Sequence, residues 1–251
     1  MPSEHIQTEL RDDGVFEIRF DRPAAKNSFT TDMYEAAADA LDAASADAGA
    51  RAVLLRGSGG DFSSGNDLRD FVERPPRGPE DTPFPFMKTL ARFEKPVVAR
   101  VDGVAVGIGA TLLLHCDLVY AASDARFMLP FVNLGVSPEC GSSFLLPRIA
   151  GHRIAAEAVM LGGLFDATLA ADLGLVTRVV APDALDESVA RALSTLLRKP
   201  DRALRASKRL MRAHLLDDLL AHMDEEARVF CALLRTEESR AAIEGFFSKR
   251  R

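Results

Sequence analysis

Tryptophan is absent from this 251-residue chain, cysteine occurs three times, and basic residues are outnumbered: 31 Lys and Arg face 37 Asp and Glu, a formal net charge of −6. An acidic balance argues against a nucleic-acid backbone or an anionic membrane surface as the main partner, because both demand a basic face. Any anionic ligand must be held by local cations. Cys116, Cys140 and Cys231 are odd in number and lack metal-ligand spacing, so they read as reduced thiols in a reducing compartment, with neither disulfide nor metal expected. Long apolar runs are missing too. The longest, residues 104–114, contains two glycines and falls well short of the roughly 20 residues that span a bilayer. Residues 1–14 are polar and acidic, unlike a secretory leader, and the terminal Ser248-Lys249-Arg250-Arg251 is not a peroxisomal address. A cytoplasmic protein is expected.

With 47% apolar and 27% charged residues, the composition is that of an ordinary globular protein, which removes the disordered, collagenous and disulfide-scaffold classes. A chain of this length buries about 70% of its unfolded surface, enough for one large domain with a small appendage. Residues 15–20 alternate apolar and polar, a half-exposed strand ended by Asp21-Arg22-Pro23. Behind a Thr30 or Thr31 cap, Met33, Ala36, Ala37, Ala40, Leu41 and Ala44 recur at helical spacing to about residue 48. Residues 52–56 read as a buried strand that leads into a Gly/Ser-rich stretch at 57–65. Strand, helix, strand with a glycine-rich exit is the opening of an α/β protein. Five prolines within residues 72–86 argue against regular structure there, leaving either a surface loop or a wall over a site. Residues 96–101 and 118–121 read as further strands, and 104–116 as a tight glycine turn opening a small-residue helix. From 140 onward nearly everything is helical, with breaks at Gly151, Gly162-Gly163, a strand at 176–180 and Pro200.

Gly103, Gly107 and Gly109 after a strand invite a dinucleotide fingerprint, which fails because position 112 is Leu and the first glycine comes too late. What remains is backbone amide uncovered by side chains at a helix start, suited either to stabilising an oxyanion or to close helix packing. Ser63-Ser64-Gly65-Asn66-Asp67-Leu68 poses the same choice, with Asp67 able to cap the next helix as in a plain turn. Together, two strand-to-helix glycine turns offer two N–H donors for one carbonyl oxygen, which is what acyl-thioester chemistry needs. A carboxylate would complete such a site. Asn133-Leu134-Gly135-Val136-Ser137-Pro138-Glu139-Cys140-Gly141-Ser142-Ser143 supplies Glu139 at a Ser-Pro turn; the plainer reading is a first-turn Glu complementing a helix dipole. His115-Cys116-Asp117 is no metal cluster, since adjacent helical residues diverge and no second group supplies ligands. Cys116 is assigned to the core and Asp117 to backbone bonding. No Ser stands in a Gly-x-Ser-x-Gly context, which argues against hydrolase chemistry.

From about Val15 to the C-terminus these residues resemble the crotonase (enoyl-CoA hydratase/isomerase) superfamily. Asp21-Arg22-Pro23-Ala24-Ala25-Lys26-Asn27 resembles its N-terminal CoA-contacting turn, Ser64-Gly65-Asn66-Asp67-Leu68 its first oxyanion segment, and Gly103-Val104-Ala105-Val106-Gly107-Ile108-Gly109 its second. The resemblance implies an α/β fold, a crotonase-like spiral of ββα units over residues 1–195, with a helical C-terminal trimerisation region over 196–251. It implies oxyanion donors at the N–H groups of Asn66 and Ile108. CoA contacts would come from Ala25, Lys26, Ser64, Asp67, Leu68 and Lys249, the last reaching a neighbouring subunit unless it is a solvated terminal lysine. Met87, Leu90, Phe131 and Leu134 would line the acyl chain. CoA belongs to the substrate, so no separate cofactor is implied.

Hydratases of this superfamily use two Glu, and the matching positions here hold Thr111 and Phe131. Neither serves to activate water or protonate carbon. Glu139 instead matches the single catalytic Glu of peroxisomal-type delta-3, delta-2-enoyl-CoA isomerases, although Cys140-Gly141 reverses the Gly-Cys order usual in that group. The implied reaction moves a proton from C2 to C4 of a 3-enoyl-CoA through an oxyanion-stabilised dienolate, giving the trans-2-enoyl-CoA. Two effects compete on Glu139: a helix N-terminus favours its anion and an apolar pocket disfavours it. A homotrimer or dimer of trimers is expected, because Leu210, Met211, Leu215, Leu216, Leu219, Leu220, Met223 and Val229 are more apolar positions than a surface helix needs. The alternatives are an enoyl-CoA hydratase and, in another class, a non-catalytic acyl-CoA-binding or interaction module.

Overall fold

The computed structural model describes residues 3–248. The strands are β1 (Ile6–Leu10), β2 (Val15–Phe20), β3 (Ala52–Gly57), β4 (Val97–Val101), β5 (Val104–Val106), β6 (Leu118–Ala122), β7 (Arg126–Met128), β8 (Leu164–Asp166) and β9 (Arg178–Val180). The helices that pack on or extend from them are α1 (Thr31–Ala46), α2 (Leu68–Glu73), α3 (Phe84–Arg92), α4 (Ile108–Thr111), α5 (Ser142–Ile149) and α6 (His152–Leu161). They continue with α7 (Ala167–Asp172), α8 (Leu185–Leu197), α9 (Asp201–Arg212), α10 (Leu216–Leu234) and α11 (Glu237–Ser248). One sheet has the order β1-β2-β3-β4-β6-β9, and a smaller one the order β5-β7-β8. In the large sheet only β1 pairs antiparallel; β2 through β9 are parallel neighbours. Each strand of the large sheet from β3 on therefore needs a crossover, and the chain passes through the small sheet or a helix on its way.

The central strands are apolar because they are covered on both faces. Residues 15–20, expected to be half exposed, are buried except at Arg19. Glu17 tolerates this because the Arg11 guanidinium pairs with it, leaving no uncompensated buried charge. Strand β1 has no sequence signature: only Ile6 is buried, and the rest is an exposed edge. Helix α1 starts where Thr30 Oγ1 accepts the Met33 N–H at 3.3 Å, and its alanine face lies buried with Met33 and Leu41. The proline-rich stretch is shorter than expected. Helix α2 runs to Glu73 and α3 begins at Phe84, so only residues 74–83 lack regular structure; Pro85 fits because the first helical turn needs no N–H from it.

Residues 104–116 form the expected glycine turn and helix start, but a short strand precedes the turn and the helix is only one turn long. Strand β5 joins the small sheet beside β7, Gly107 turns the chain, and α4 gives way to a 3-10 turn at Leu112–His115. Strands β7 and β8, three residues each, escape a pattern that needs four or more. Asp117 binds backbone as expected, its Oδ2 accepting from Val97 N at 2.8 Å, and it also pairs with Lys208 at 2.7 Å. Cys116 is partly buried against the core. Leu219, Met223, Ala227 and Phe230 of α10 belong to the same contiguous apolar cluster as the strands. The C-terminal apolar face is thus divided: Leu219 and Met223 are buried within the chain, Leu215 and Leu220 pack on the core, and Leu210, Met211 and Val229 stay exposed. Among the described residues no helix is long and apolar enough to cross a membrane.

Candidate active site

Two loops leave the sheets side by side. Asn27, itself at φ 55°, donates its amide to the carbonyls of Ser58 (2.9 Å) and Asp61 (2.6 Å) and accepts from Arg22 N (2.9 Å). This ties the turn after β2 to the loop after β3. Phe29 N then donates to Gly65 O and Asp67 N to Phe29 O, both at 2.8 Å. Because those bonds use the groups before and after Asn66, its own N–H faces the opposite side of the chain. On that side Ser63 pairs with β5: Ser63 N donates to Val104 O at 3.0 Å, and Val106 N to Ser63 O at 2.9 Å.

The approach is close enough to require glycine. A Cβ on Gly65 would sit 2.7 Å from Val106 O, and one on Gly109 would sit 2.5 Å from Ser63 O. Gly107, at φ 55° and ψ −124°, reverses the chain so that Ile108 opens α4. Among the described residues, no acceptor takes the N–H of Asn66 or of Ile108. Two unused donors thus follow two glycines whose backbones touch. The Asn66 side chain is fixed as well, since the buried Tyr34 hydroxyl donates to its Oδ1.

Glu139 lies beside this pair. Thr111, one helical turn beyond Ile108, donates its hydroxyl to Glu139 Oε1 at 2.7 Å. Glu139 is buried, and among the described residues its Oε2 has no hydrogen-bond partner. Burial pushes the carboxyl up to about 8, against the opposing pull of Thr111 and with a smaller upward push from Glu226. Of the two competing effects on this group, desolvation wins, and the geometry says why. Helix α5 begins at Ser142 with Gly141 as its cap. The amides of Gly141 and Ser143 are taken by Glu226, at 2.6 and 2.9 Å. The helix-capping reading of Glu139 is therefore overturned, because Glu226 fills that place. Cys140 and Gly141 are consecutive left-handed residues, φ 61° and 71°. The turn survives the Cys-Gly order at a cost of about 1 kcal/mol for the non-glycine residue.

The sequence pattern of the enoyl-CoA hydratase/isomerase family matches residues 11–251. The chain belongs to that family. It is 37% identical over 246 residues to Enoyl-CoA delta isomerase 2 of Homo sapiens, covering 95% of this chain but only 62% of the human protein. It is also 32% identical over 241 residues to 2,3-dehydroadipyl-CoA hydratase of Escherichia coli, covering 96% and 94% of the two chains. The solved structure of Pseudomonas aeruginosa OdaA superposes with a TM-score of 0.93 at 43% identity, covering 97% of this chain and 99% of that one. The fold is accordingly the crotonase fold.

Within this crotonase fold the remaining expected positions fall into groups. Ser64 Oγ donates to Ala25 O at 3.1 Å and Ser64 N to Lys26 O at 2.8 Å, so Ala25, Lys26 and Ser64 form one surface. Lys26 is exposed and faces Asp61 at 3.3 Å. Asp67 caps α2 and pairs with Arg22 at 2.7 Å, which makes it a support for the first glycine loop, and Leu68 follows half-buried. Lys249 lies outside the described residues. Met87, Leu90 and Phe131 are buried in the core and Leu134 is half-buried against it. The proline-rich segment lines a polar cleft of about 740 Å³ with Arg74, Arg77 and Arg235, and none of those four apolar residues lines it. Two residues escaped sequence reasoning: Tyr34, hidden in an alanine-rich face, and Glu226. The signal for Glu226 was present, since it falls on the buried stripe Met223, Ala227 and Phe230 of α10, where a carboxylate requires a partner.

Proposed function

We propose that this enzyme shifts the double bond of a 3-enoyl-CoA to the trans-2-enoyl-CoA, with Glu139 as the single base and acid. The observation that carries the reading is one buried carboxyl with an unpartnered oxygen, next to two unused backbone donors; the resemblance adds to it by matching Thr111 and Phe131 to the positions of the hydratase glutamates. The thioester carbonyl accepts from Asn66 N–H and Ile108 N–H. Glu139 Oε2 takes a proton from C2, the electron pair delocalises onto the thioester oxygen as a dienolate, and the resulting carboxylic acid returns the proton to C4. Each aimed donor is worth about 3 to 4 kcal/mol of barrier where such donors have been removed. A carboxyl raised to about 8 suits both halves, because a group titrating near the working pH is a competent base and a competent acid.

Water addition needs a second proton-handling group. Asp70, which faces Tyr34, is occupied by Thr31 and Arg74, and Glu226 by the α5 amides. Lys26 would face the CoA phosphates, and the apolar set Met87, Leu90, Phe131 and Leu134 would face the acyl chain. The assembly we propose is a homotrimer or a dimer of trimers. A paired assay with 3-enoyl-CoA and trans-2-enoyl-CoA tests the reaction. Isomerisation without appreciable hydration is the expected result; dominant hydration overturns it, and binding without turnover restores the non-catalytic module.

A further inference from the structure

Resting on the reading of Glu139 as the base, we infer that Glu226 of α10 is its positioning residue, clamping the turn that presents Glu139 to Thr111. The clamp has three bonds. Glu226 Oε2 accepts from Gly141 N at 2.6 Å, and Oε1 accepts from Ser143 N at 2.9 Å and from the Ser143 hydroxyl. Inside it, Ser142 returns its N–H (3.1 Å) and hydroxyl (2.6 Å) to Glu139 O. His115 Nε2 donates to Cys140 O at 2.8 Å. Every bond closes around the two left-handed residues that reverse the chain directly after Glu139. Leu219 of α10 seals the outside, so tightly that a Cβ on Gly141 would meet its Cδ1 at 2.5 Å.

The carboxylate is a costly choice for a mere cap. Glu226 is buried, and burial pushes its proton affinity up while the three donors and His222 pull it down. A capping Ser or Asn would satisfy one amide without bringing charge into the core. What the charge adds is its effect on Glu139, whose proton it helps retain. The groups around the pair are accounted for. Glu139 is faced by Thr111 of α4, Tyr34 of α1 and Cys140. Glu226 is faced by Ser143 of α5 and by His222, whose Nε2 lies 2.8 Å from Ser143 Oγ and 3.9 Å from Glu226 Oε1. Lys88 of α3 is held by Glu80 and Asp224, and Arg148 of α5 by the carbonyl of Phe144.

The test compares the parent enzyme with Glu226→Gln and Glu226→Ala in 3-enoyl-CoA turnover from pH 6 to 10, and adds a carbon-13 carboxyl titration of Glu139 that needs no turnover. Glu226→Ala should lower kcat about 10²-fold per folded enzyme while KM moves little, the penalty for a displaced catalytic group. Glu226→Gln, which keeps size and one acceptor, should lose less and should move both the rising limb of the rate profile and the Glu139 titration to lower pH, since a nearby negative charge is gone. A purely structural cap predicts lower melting temperatures with kcat, rate profile and Glu139 titration all parental. That result overturns the inference. If the parent fails to isomerise 3-enoyl-CoA, the reaction assignment falls, and the Glu139 titration alone decides: a shift in Glu226→Gln supports the clamp, and no shift ends it.

Discussion

Glu139 is held by one hydroxyl and otherwise surrounded by protein that cannot solvate its charge. Its carboxyl, at about 8 in the fold against 4.5 for an ordinary glutamate, ties rate and stability to pH with opposite signs. The proposed base must act as its anion, so kcat/KM in the free enzyme should rise about tenfold per pH unit below 8 and level off above it. A flat profile between pH 6 and 8 would contradict the assignment. For stability the protonated form is favoured by the fold, so that contribution is complete below about 4.5 and is lost as pH rises through about 8. Glu139→Gln should therefore melt with a weaker pH dependence than the parent between pH 5 and 8. Thr111→Val keeps the volume and removes the one bond that favours the anion. Its rate profile should move to higher pH, with activity at pH 7 lowered about tenfold; an unmoved profile would show that the hydroxyl does no more than fill space.

At the scale of elements, the site is a meeting of two glycine-bearing loops with a turn held from the far end of the chain. Gly109→Ala puts a methyl 2.5 Å from a backbone carbonyl of the first loop. Steric overlap of that kind costs about 1 to 3 kcal/mol and forces the loops apart, so calorimetry should show the loss and the isomerisation rate should fall with it. An unchanged melt would mean that the two loops do not need their close approach. These loops were legible in the sequence because close backbone approach leaves glycine as the only solution, and Asp67 and Thr30 were legible because helix starts need a local acceptor. What was not legible is what depends on distance along the chain. The cap of α5 arrives with Glu226 from more than 80 residues downstream, so nothing near Glu139 told whether its carboxyl faced the helix or the interior. Strand β1 was hidden by its exposure, and β7 and β8 by their length.

For the whole molecule, the C-terminal apolar positions divide into a buried set and an exposed set that the sequence pattern merged into one. Leu219 and Met223 press α10 onto the turn after Glu139, while Leu210 and Met211 remain 70% and 67% exposed. Met160, Leu161 and Leu164 are also exposed, at 67%, 70% and 63%. Large apolar side chains left in solvent often mark a surface that another protein covers, and the assembly proposed above would cover these with further copies. Sedimentation at micromolar concentration should therefore give a trimer or hexamer; a stable monomer would remove this part of the account. The central claim, however, is that one carboxyl carries the proton. Turnover of 3-enoyl-CoA by Glu139→Gln tests it most directly, because the substitution keeps the volume and leaves both backbone donors in place. The account predicts a fall of at least about 10²-fold with CoA-ester affinity little changed. A Glu139→Gln enzyme that isomerises at close to the parental rate would contradict it.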